Sequence, residues 1–131
     1  MDTRNKILSG ESALETACRL KREGRRLKVV TGYFDVLQAA HIRDLLAVRN
    51  GDCTAILMVV LLPHAGSLLS QRARAELVAG IGVVDYVVTD TDSATEDLLS
   101  RVPADEVISR QSADEEQARL LIQHVYARHS V

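Results

Sequence analysis

The segment VTGYFDVLQAAHIRDLLAVRN, residues 30–50, decides the fold class and contains the strongest functional signal in the chain. An apolar strand begins at Leu27 and runs into a turn at Gly32, and a helix opens near His41. In a parallel sheet, this order places backbone N–H groups and the positive end of a helix at the carboxyl end of a strand, where phosphates bind. The segment therefore predicts an anion-binding bend within an α/β fold.

The rest of the chain alternates short apolar strands with amphipathic helices. This alternation predicts a single doubly wound, Rossmann-like α/β domain over residues 1–131, with a parallel sheet of four to five strands and helices on both faces. The expected strands cover 27–31, 54–62, 84–89 and 106–109, and the expected helices cover 9–23, 40–49, 67–79, a short stretch from 93 and the residues from 112 onward.

Hydrophobic periodicity predicts which face of each helix is buried. Two sets of apolar residues are expected to face the core: Ile42, Leu45 and Leu46 on the second helix, and Leu69, Ala73 and Leu77 on the third. The first helix has two candidate N-caps, because Ser12 and Glu15 have capping-box spacing and Ser9 is an alternative. Both alternatives stay open at this point.

Composition excludes several classes of protein. The chain has 131 residues, of which 47% are hydrophobic and 26% charged, and this balance is typical of one ordinary globular domain. A net charge of −2 gives no general attraction to nucleic acid or to a membrane surface. The longest apolar run, residues 55–62, is too short to span a bilayer. The N-terminus has no apolar signal core, so a cytoplasmic location is expected.

The cysteines and histidines give no sign of a metal site. Cys18 and Cys53 have neither redox nor metal-ligand spacing, and both are expected to be buried, reduced thiols. The four histidines form no ligand spacing with each other or with a cysteine, so no protein-bound structural metal is expected.

The bend resembles the signature of a known enzyme family. Gly32, Phe34, Asp35 and His41 match the pattern Gly-x-Phe-Asp-x-x-His-x-Gly-His of the paired-histidine nucleotidyltransferases. The resemblance is greatest to the cytidylyltransferase-like branch, which includes glycerol-3-phosphate cytidylyltransferase and the nucleotidyl-transferring domain of ADP-heptose synthase. The chain departs from the pattern at its end, where Gln38-Ala39-Ala40-His41 replaces His-x-Gly-His.

The resemblance implies a role for each matching residue. The loop Thr31, Gly32, Tyr33 and Phe34 would hold the triphosphate with its amides, and Asp35 would pin that loop. His41 would donate to a phosphate oxygen, although a bond to a neighbouring backbone group is the alternative. Gln38 stands where the family has its first histidine, and its amide can donate a hydrogen bond but carries no charge.

Two further parts of the family's phosphate-binding apparatus differ. The family's lysine-bearing loop is shortened here to residues 63–66, and no lysine follows Val29. Arg72 and Arg74 either supply phosphate charge or lie on a solvated helix face. Ser109 and Arg110 either are a remnant of the family's C-terminal phosphate-binding element or belong to the fourth strand, and both alternatives stay open.

Two functions follow from the resemblance. In the first, the protein binds CTP or ATP with Mg²⁺ and transfers a nucleotidyl group to a sugar phosphate or polyol phosphate, with His41 and Gln38 stabilising the transition state as pyrophosphate leaves. In the second, it is a catalytically inactive relative that serves as a nucleotide-binding or interaction module. A homodimer is expected, since the resembled family often forms one, and neither nucleic acid nor a membrane is an expected partner.

Overall fold

A five-stranded parallel sheet forms the centre of the protein. The computed structural model describes residues 3–34, 39–50, 54–62, 69–89 and 100–109. A 3-10 turn at Thr3–Lys6 precedes the other elements, which are in chain order β1 Ile7–Leu8, α1 Gly10–Arg22, β2 Leu27–Gly32, α2 Ala39–Asn50, β3 Ile56–Leu61, α3 Gln71–Ala79, β4 Tyr86–Val88 and β5 Glu106–Ser109. The predicted α/β architecture is confirmed.

The strand order fixes where a ligand is expected to bind. In space the strands run β1-β4-β3-β2-β5, and every neighbouring pair is parallel. The chain moves outward from β2 through β3 to β4 and then returns to place β5 on the other side of β2. Open α/β sheets bind ligands at the carboxyl ends of the strands where this reversal occurs. The carboxyl ends of β2 and β5 are therefore the predicted binding edge.

The sheet separates two apolar clusters, one on each face. On one face, Val30 of β2 and Val59 of β3 pack with the inner sides of α2 and α3. On the other face, Val29 and Met58 pack with α1, whose buried residues are Ala13, Ala17 and Leu20. Adjacent residues of one strand serve opposite clusters because side chains alternate across a pleated sheet. Helices therefore cover both faces, as predicted.

The predicted buried face of α2 is wrong in part. Leu45 is fully buried, but Ile42 is 40% exposed and Leu46 is 41% exposed. The inner side of the helix includes His41 instead, which lies four residues before Leu45. A prediction from apolar residues alone assigns a histidine to the exposed face of a helix. It therefore placed the buried face of α2 on the side of Ile42 and Leu46 rather than on the side of His41.

The same error applies to α3. Its buried residues are Arg74, Ala75, Val78 and Ala79, whereas Leu77 is 47% exposed. The helix also begins at Gln71 rather than at Ser67, because Ser70 is its N-cap and accepts a hydrogen bond from the Ala73 N–H at 3.1 Å. Small residues and one arginine thus allow α3 to lie close to the sheet, and the larger Leu77 points outward.

The structure also tests the sequence predictions for the N-cap of α1 and for Cys18. Ser9 is the N-cap of α1, accepting from the Ser12 N–H at 3.2 Å, which resolves the choice between the two candidate caps. Cys18 is exposed, so the buried-thiol interpretation is wrong for it; it lies on the outer side of α1. Cys53 and the helix expected from 112 lie outside the described residues.

In the part of the chain that the structure describes, no helix has both the length and the apolar character needed to cross a membrane.

Partly buried polar contacts tie the elements together at the amino edge of the sheet. Asp85 Oδ2 accepts from the Leu57 N–H at 2.9 Å and from Arg49 at 3.1 Å. The Lys28 ammonium donates to the Val48 carbonyl, near the end of α2, at 2.9 Å. These bonds satisfy backbone groups that the ladder and the helix leave open.

Asp85 is expected to be important for stability. Replacing Asp85 with alanine leaves the Leu57 N–H and the Arg49 guanidinium without this acceptor, so the free energy of unfolding should fall by about 2–3 kcal/mol. Urea denaturation measures this loss. The matched control is Glu76→Ala, which breaks an exposed ion pair with Arg72 and should change stability by about 0.5 kcal/mol or less. Equal effects of the two variants would contradict the structural role of Asp85.

Candidate functional site

The chain bends sharply where it leaves β2. Gly32, the last residue of the strand, accepts a hydrogen bond from the Leu62 N–H through its carbonyl oxygen at 2.9 Å. Two residues later, Phe34 has a φ of +48°, in the left-handed region that residues other than glycine rarely adopt. Its side chain is nevertheless fully buried. A strained conformation held by complete burial indicates that the surroundings impose this bend.

His41 lies directly against the bend. Its imidazole centroid is 5.4 Å from the centroid of the Phe34 ring, with the two planes tilted by 45°. His41 is the third residue of α2 and is only 2% exposed. The imidazole thus faces the bend from the first turn of the helix, as the sequence predicted.

Arg74 reaches the same bend from α3. Its guanidinium nitrogen Nη1 lies 2.6 Å from the Tyr33 carbonyl oxygen and 3.1 Å from the Leu62 carbonyl oxygen. Arg74 is 2% exposed, so the solvated-face alternative is wrong for this residue. Arg72 has the opposite environment, since its side chain is exposed and pairs with Glu76 at 3.1 Å along the helix. The two arginines, treated alike at the sequence level, therefore have different surroundings.

The end of β5 adds another predicted residue to this edge. Ser109 is the last residue of β5 and lies opposite Thr31 in the parallel register. Thr31 is buried, whereas Ser109 is exposed at the edge of the sheet. The structure thus brings Thr31, the bend, His41, Arg74 and Ser109 to the carboxyl ends of neighbouring strands. Asp35, Gln38 and Arg110, together with the shortened loop 63–66, lie outside the described residues.

Two of the three lysines, Lys6 and Lys28, are at the opposite edge. Lys28 bonds the Val48 carbonyl and lies 3.8 Å from Glu106, at the start of β5. Lys6 donates to the Ile81 carbonyl, just beyond α3, at 3.5 Å. Among the described residues at the carboxyl edge, Arg74 is the buried cation. The geometry agrees with the sequence observation that the family's lysine is missing from this edge.

Sequence reasoning missed what Arg74 binds. The prediction weighed phosphate contact against solvation and did not consider hydrogen bonds to main-chain carbonyls. One signal was present: Arg74 stands four residues before Val78, so the two share a helix face, and its sequence neighbours Ala73 and Ala75 are small. A lone arginine on such a face is buried only if it finds acceptors, and strand ends provide them.

Comparison with known proteins gives one group of similar sequences. No family model matches the chain. The bifunctional protein HldE of Wolinella succinogenes is 28% identical over 117 residues, which cover 82% of this chain and 24% of the relative. HldE of Rhodopseudomonas palustris strain BisB5 is 28% identical over 106 residues, covering 74% of this chain and 21% of the relative. The chain thus spans about a quarter or less of the length of these curated relatives.

Proposed function

We propose that the protein is a nucleotidyltransferase-like protein that binds the Mg²⁺ complex of CTP or ATP at the bend after β2. In this proposal it transfers the nucleotidyl group to a sugar phosphate or polyol phosphate in the cytoplasm. The observation that carries the proposal is His41, a buried imidazole at a helix N-terminus, packed against the bend at the point where the strand order reverses. The similarity to the HldE proteins supports the same class of activity.

The proposed reaction is an in-line displacement at the α-phosphorus. An oxygen of the acceptor phosphate forms a new bond to the α-phosphorus, the bond to the oxygen that bridges to the β-phosphorus breaks, and pyrophosphate leaves with that electron pair. Negative charge rises on the non-bridging α-oxygens during this step. A His41 N–H that donates to one of them stabilises the charge, and a site shielded from water strengthens that bond.

The other residues of the edge would bind and orient the nucleotide. Backbone amides of Tyr33 and Phe34 are candidates for phosphate contact, since chain turns with left-handed residues form anion-binding concavities. The Ser109 hydroxyl, exposed beside Thr31, is a candidate for a further hydrogen bond. Gln38 would contribute a neutral donor in place of an imidazole.

A second candidate function has its own support. Arg74, the buried cation at this edge among the described residues, already donates to two main-chain carbonyls, and Lys6 and Lys28 are at the other edge. A guanidinium nitrogen that already binds two carbonyls contributes less to triphosphate binding than one aimed at the ligand. The alternative is therefore an inactive relative that serves as a nucleotide-binding or homo-oligomeric module. The exposed Ile42 and Leu46 are available for self-association.

One experiment separates the two functions. The purified protein is incubated with each nucleoside triphosphate, Mg²⁺ and a panel of sugar phosphates and polyol phosphates, and pyrophosphate release is followed. The melting temperature is measured with each nucleotide in parallel, because a ligand at 100 times its Kd adds about 2.7 kcal/mol of stability. Release with one pair of substrates supports the transferase. A rise in melting temperature without release supports the inactive nucleotide-binding module. The absence of both effects would refute the transferase and the nucleotide-binding module and leave only the homo-oligomeric one.

Restoring the family's motif is expected to strengthen nucleotide binding. The double variant Gln38→His with Ala40→Gly replaces a neutral donor by a group that can be cationic and removes the methyl group at the position where the family has glycine. Hydrogen bonds to charged groups exceed neutral ones by roughly 1 kcal/mol, so the Kd for the nucleotide should fall about fivefold. Calorimetric titration measures it, with Arg72→Ala as the control. An unchanged Kd would mean that the binding deficit arises elsewhere, most directly from the missing lysine.

A further inference from the structure

The first turn of α3 holds the ends of two strands. Gln71 Nε2 lies 3.4 Å from the Leu61 carbonyl oxygen, and Arg74 Nη1 bonds the carbonyls of Leu62 and Tyr33. The β2–β3 ladder ends with the Leu62 N–H bound to the Gly32 carbonyl. Just beyond that pair, the Arg74 guanidinium joins the residue that follows β2, Tyr33, to the residue that follows β3, Leu62.

The bonding capacity of Arg74 Nη1 limits what else this atom can do. A terminal guanidinium nitrogen carries two hydrogens, and the Tyr33 and Leu62 carbonyls account for both. Both bonds are charge-assisted, the one to Tyr33 is short, and Arg74 is 2% exposed, so exchanging these bonds for a ligand would leave two carbonyls without this donor. A direct role of this nitrogen in phosphate binding would therefore be costly.

We infer that Arg74 is a positioning residue, which sets the bend at Tyr33 and Phe34 in place relative to the end of β3. The inference rests on the proposed function in one respect, namely that this bend is the nucleotide site. It changes the expected role of Arg74 from phosphate contact to support of the groups that would make that contact.

Few contacts separate Arg74 from His41, the residue that would stabilise the transition state. Arg74 fixes the Tyr33 carbonyl, the next residue is the strained Phe34, and the Phe34 ring packs on the His41 imidazole at 5.4 Å. A left-handed phenylalanine persists only where its neighbours hold it. Loss of the guanidinium should therefore relax the bend and displace His41. In active sites, a shift of about 1 Å can lower the rate roughly a hundredfold.

The test compares substitutions at Arg74 with a matched substitution on the same helix. Arg74→Met removes the donors and keeps an unbranched side chain, Arg74→Lys keeps the charge without the planar fork, and Arg72→Met changes the exposed arginine. Amide hydrogen exchange is measured in peptides covering 31–34, with peptides from α1 on the other face of the sheet as an internal reference. Kd values for the Mg²⁺ complexes of CTP and ATP are measured on the same samples.

Arg74→Met is expected to speed amide exchange of residues 31–34 at least tenfold relative to α1 and to weaken nucleotide binding at least tenfold. Arg74→Lys should show the same two changes to a smaller degree, and Arg72→Met should stay within twofold of the wild type. Binding is evaluated for the folded fraction only, so a general loss of stability, which lowers the amount of competent protein, does not mimic a weaker Kd.

Three results would overturn the inference. Unchanged exchange in 31–34 would show that Arg74 does not hold the bend, and faster exchange with an unchanged Kd would show that the bend does not control nucleotide binding. Normal exchange combined with binding lost in Arg74→Met and kept in Arg74→Lys would show a direct phosphate contact. If the wild type binds no nucleotide, the proposed function fails. The exchange rates alone then decide whether Arg74 holds the bend. If Arg74→Met does not fold, Arg74→Lys supplies the same comparison.

Discussion

Replacing His41 with alanine should lower the rate of nucleotidyl transfer by about a hundredfold to a thousandfold while the protein stays folded. This is the usual effect of removing one donor that stabilises the charge of a transition state. The nucleotide Kd should change much less than kcat, because the ground-state triphosphate gains less from this donor than the transition state does. Pyrophosphate release at saturating substrate measures kcat, and calorimetry measures the Kd.

The control for this prediction is Arg43→Ala on the same helix. Arg43 is exposed, so its loss should leave both quantities within about twofold. His41→Asn, whose side-chain amide also donates N–H bonds, should recover part of the lost rate. A His41→Ala variant with kcat near that of the wild type would mean that the imidazole only packs against Phe34, and the transferase mechanism would have to be abandoned.

Truncating Phe34 is expected to cause the largest loss of stability. Phe34 is fully buried in the cluster that includes Val30 and Leu45, and phenylalanine-to-alanine changes in cores cost about 3–5 kcal/mol. Phe34→Gly creates the same cavity but suits the positive φ, so it should be about 1 kcal/mol more stable than Phe34→Ala. Urea denaturation of the two variants measures this difference. The opposite order would show that the left-handed bend does not persist in solution.

Leu77→Ala is the matched control for Phe34. Leu77 is a large apolar residue on the outer side of α3, and its truncation should cost about 1 kcal/mol or less. Phe34→Ala should also lower nucleotide affinity in its folded fraction because the ring that holds His41 is gone, whereas Leu77→Ala should not.

The architecture could be predicted because strands of a parallel sheet carry a strong local signal. Residues 106–109 were predicted as a strand and are β5, and the predicted strand at 27–31 differs from β2 by one residue. Both segments are rich in β-branched residues, which favour strands. Glycine, proline or charged residues mark the ends of both segments. The bend after β2 was predicted from Gly32, and the structure places His41 against it.

The orientation of the helices could not be predicted from the same signal. Periodicity assigns polar residues to the outside, and this rule failed for His41 and Arg74, which face the core because they meet specific partners there. Those partners, the Phe34 ring and two strand-end carbonyls, are distant in sequence or depend on a backbone conformation that no residue pattern encodes. The role of Arg74 therefore becomes visible only when the ends of β2, β3 and α3 are seen together.

The amino-edge bonds of Asp85, Lys28 and Asp105 have a consequence for how this protein can diverge. Asp105 accepts from the Leu27 N–H at 2.7 Å, so each of the three residues anchors an element at the edge away from the bend. None of the three is a residue that the proposed function assigns to the ligand, so substitutions made to change ligand preference need not remove these anchors. Ligand preference can therefore be altered at one rim, outside Phe34, while the bonds at the opposite rim are kept.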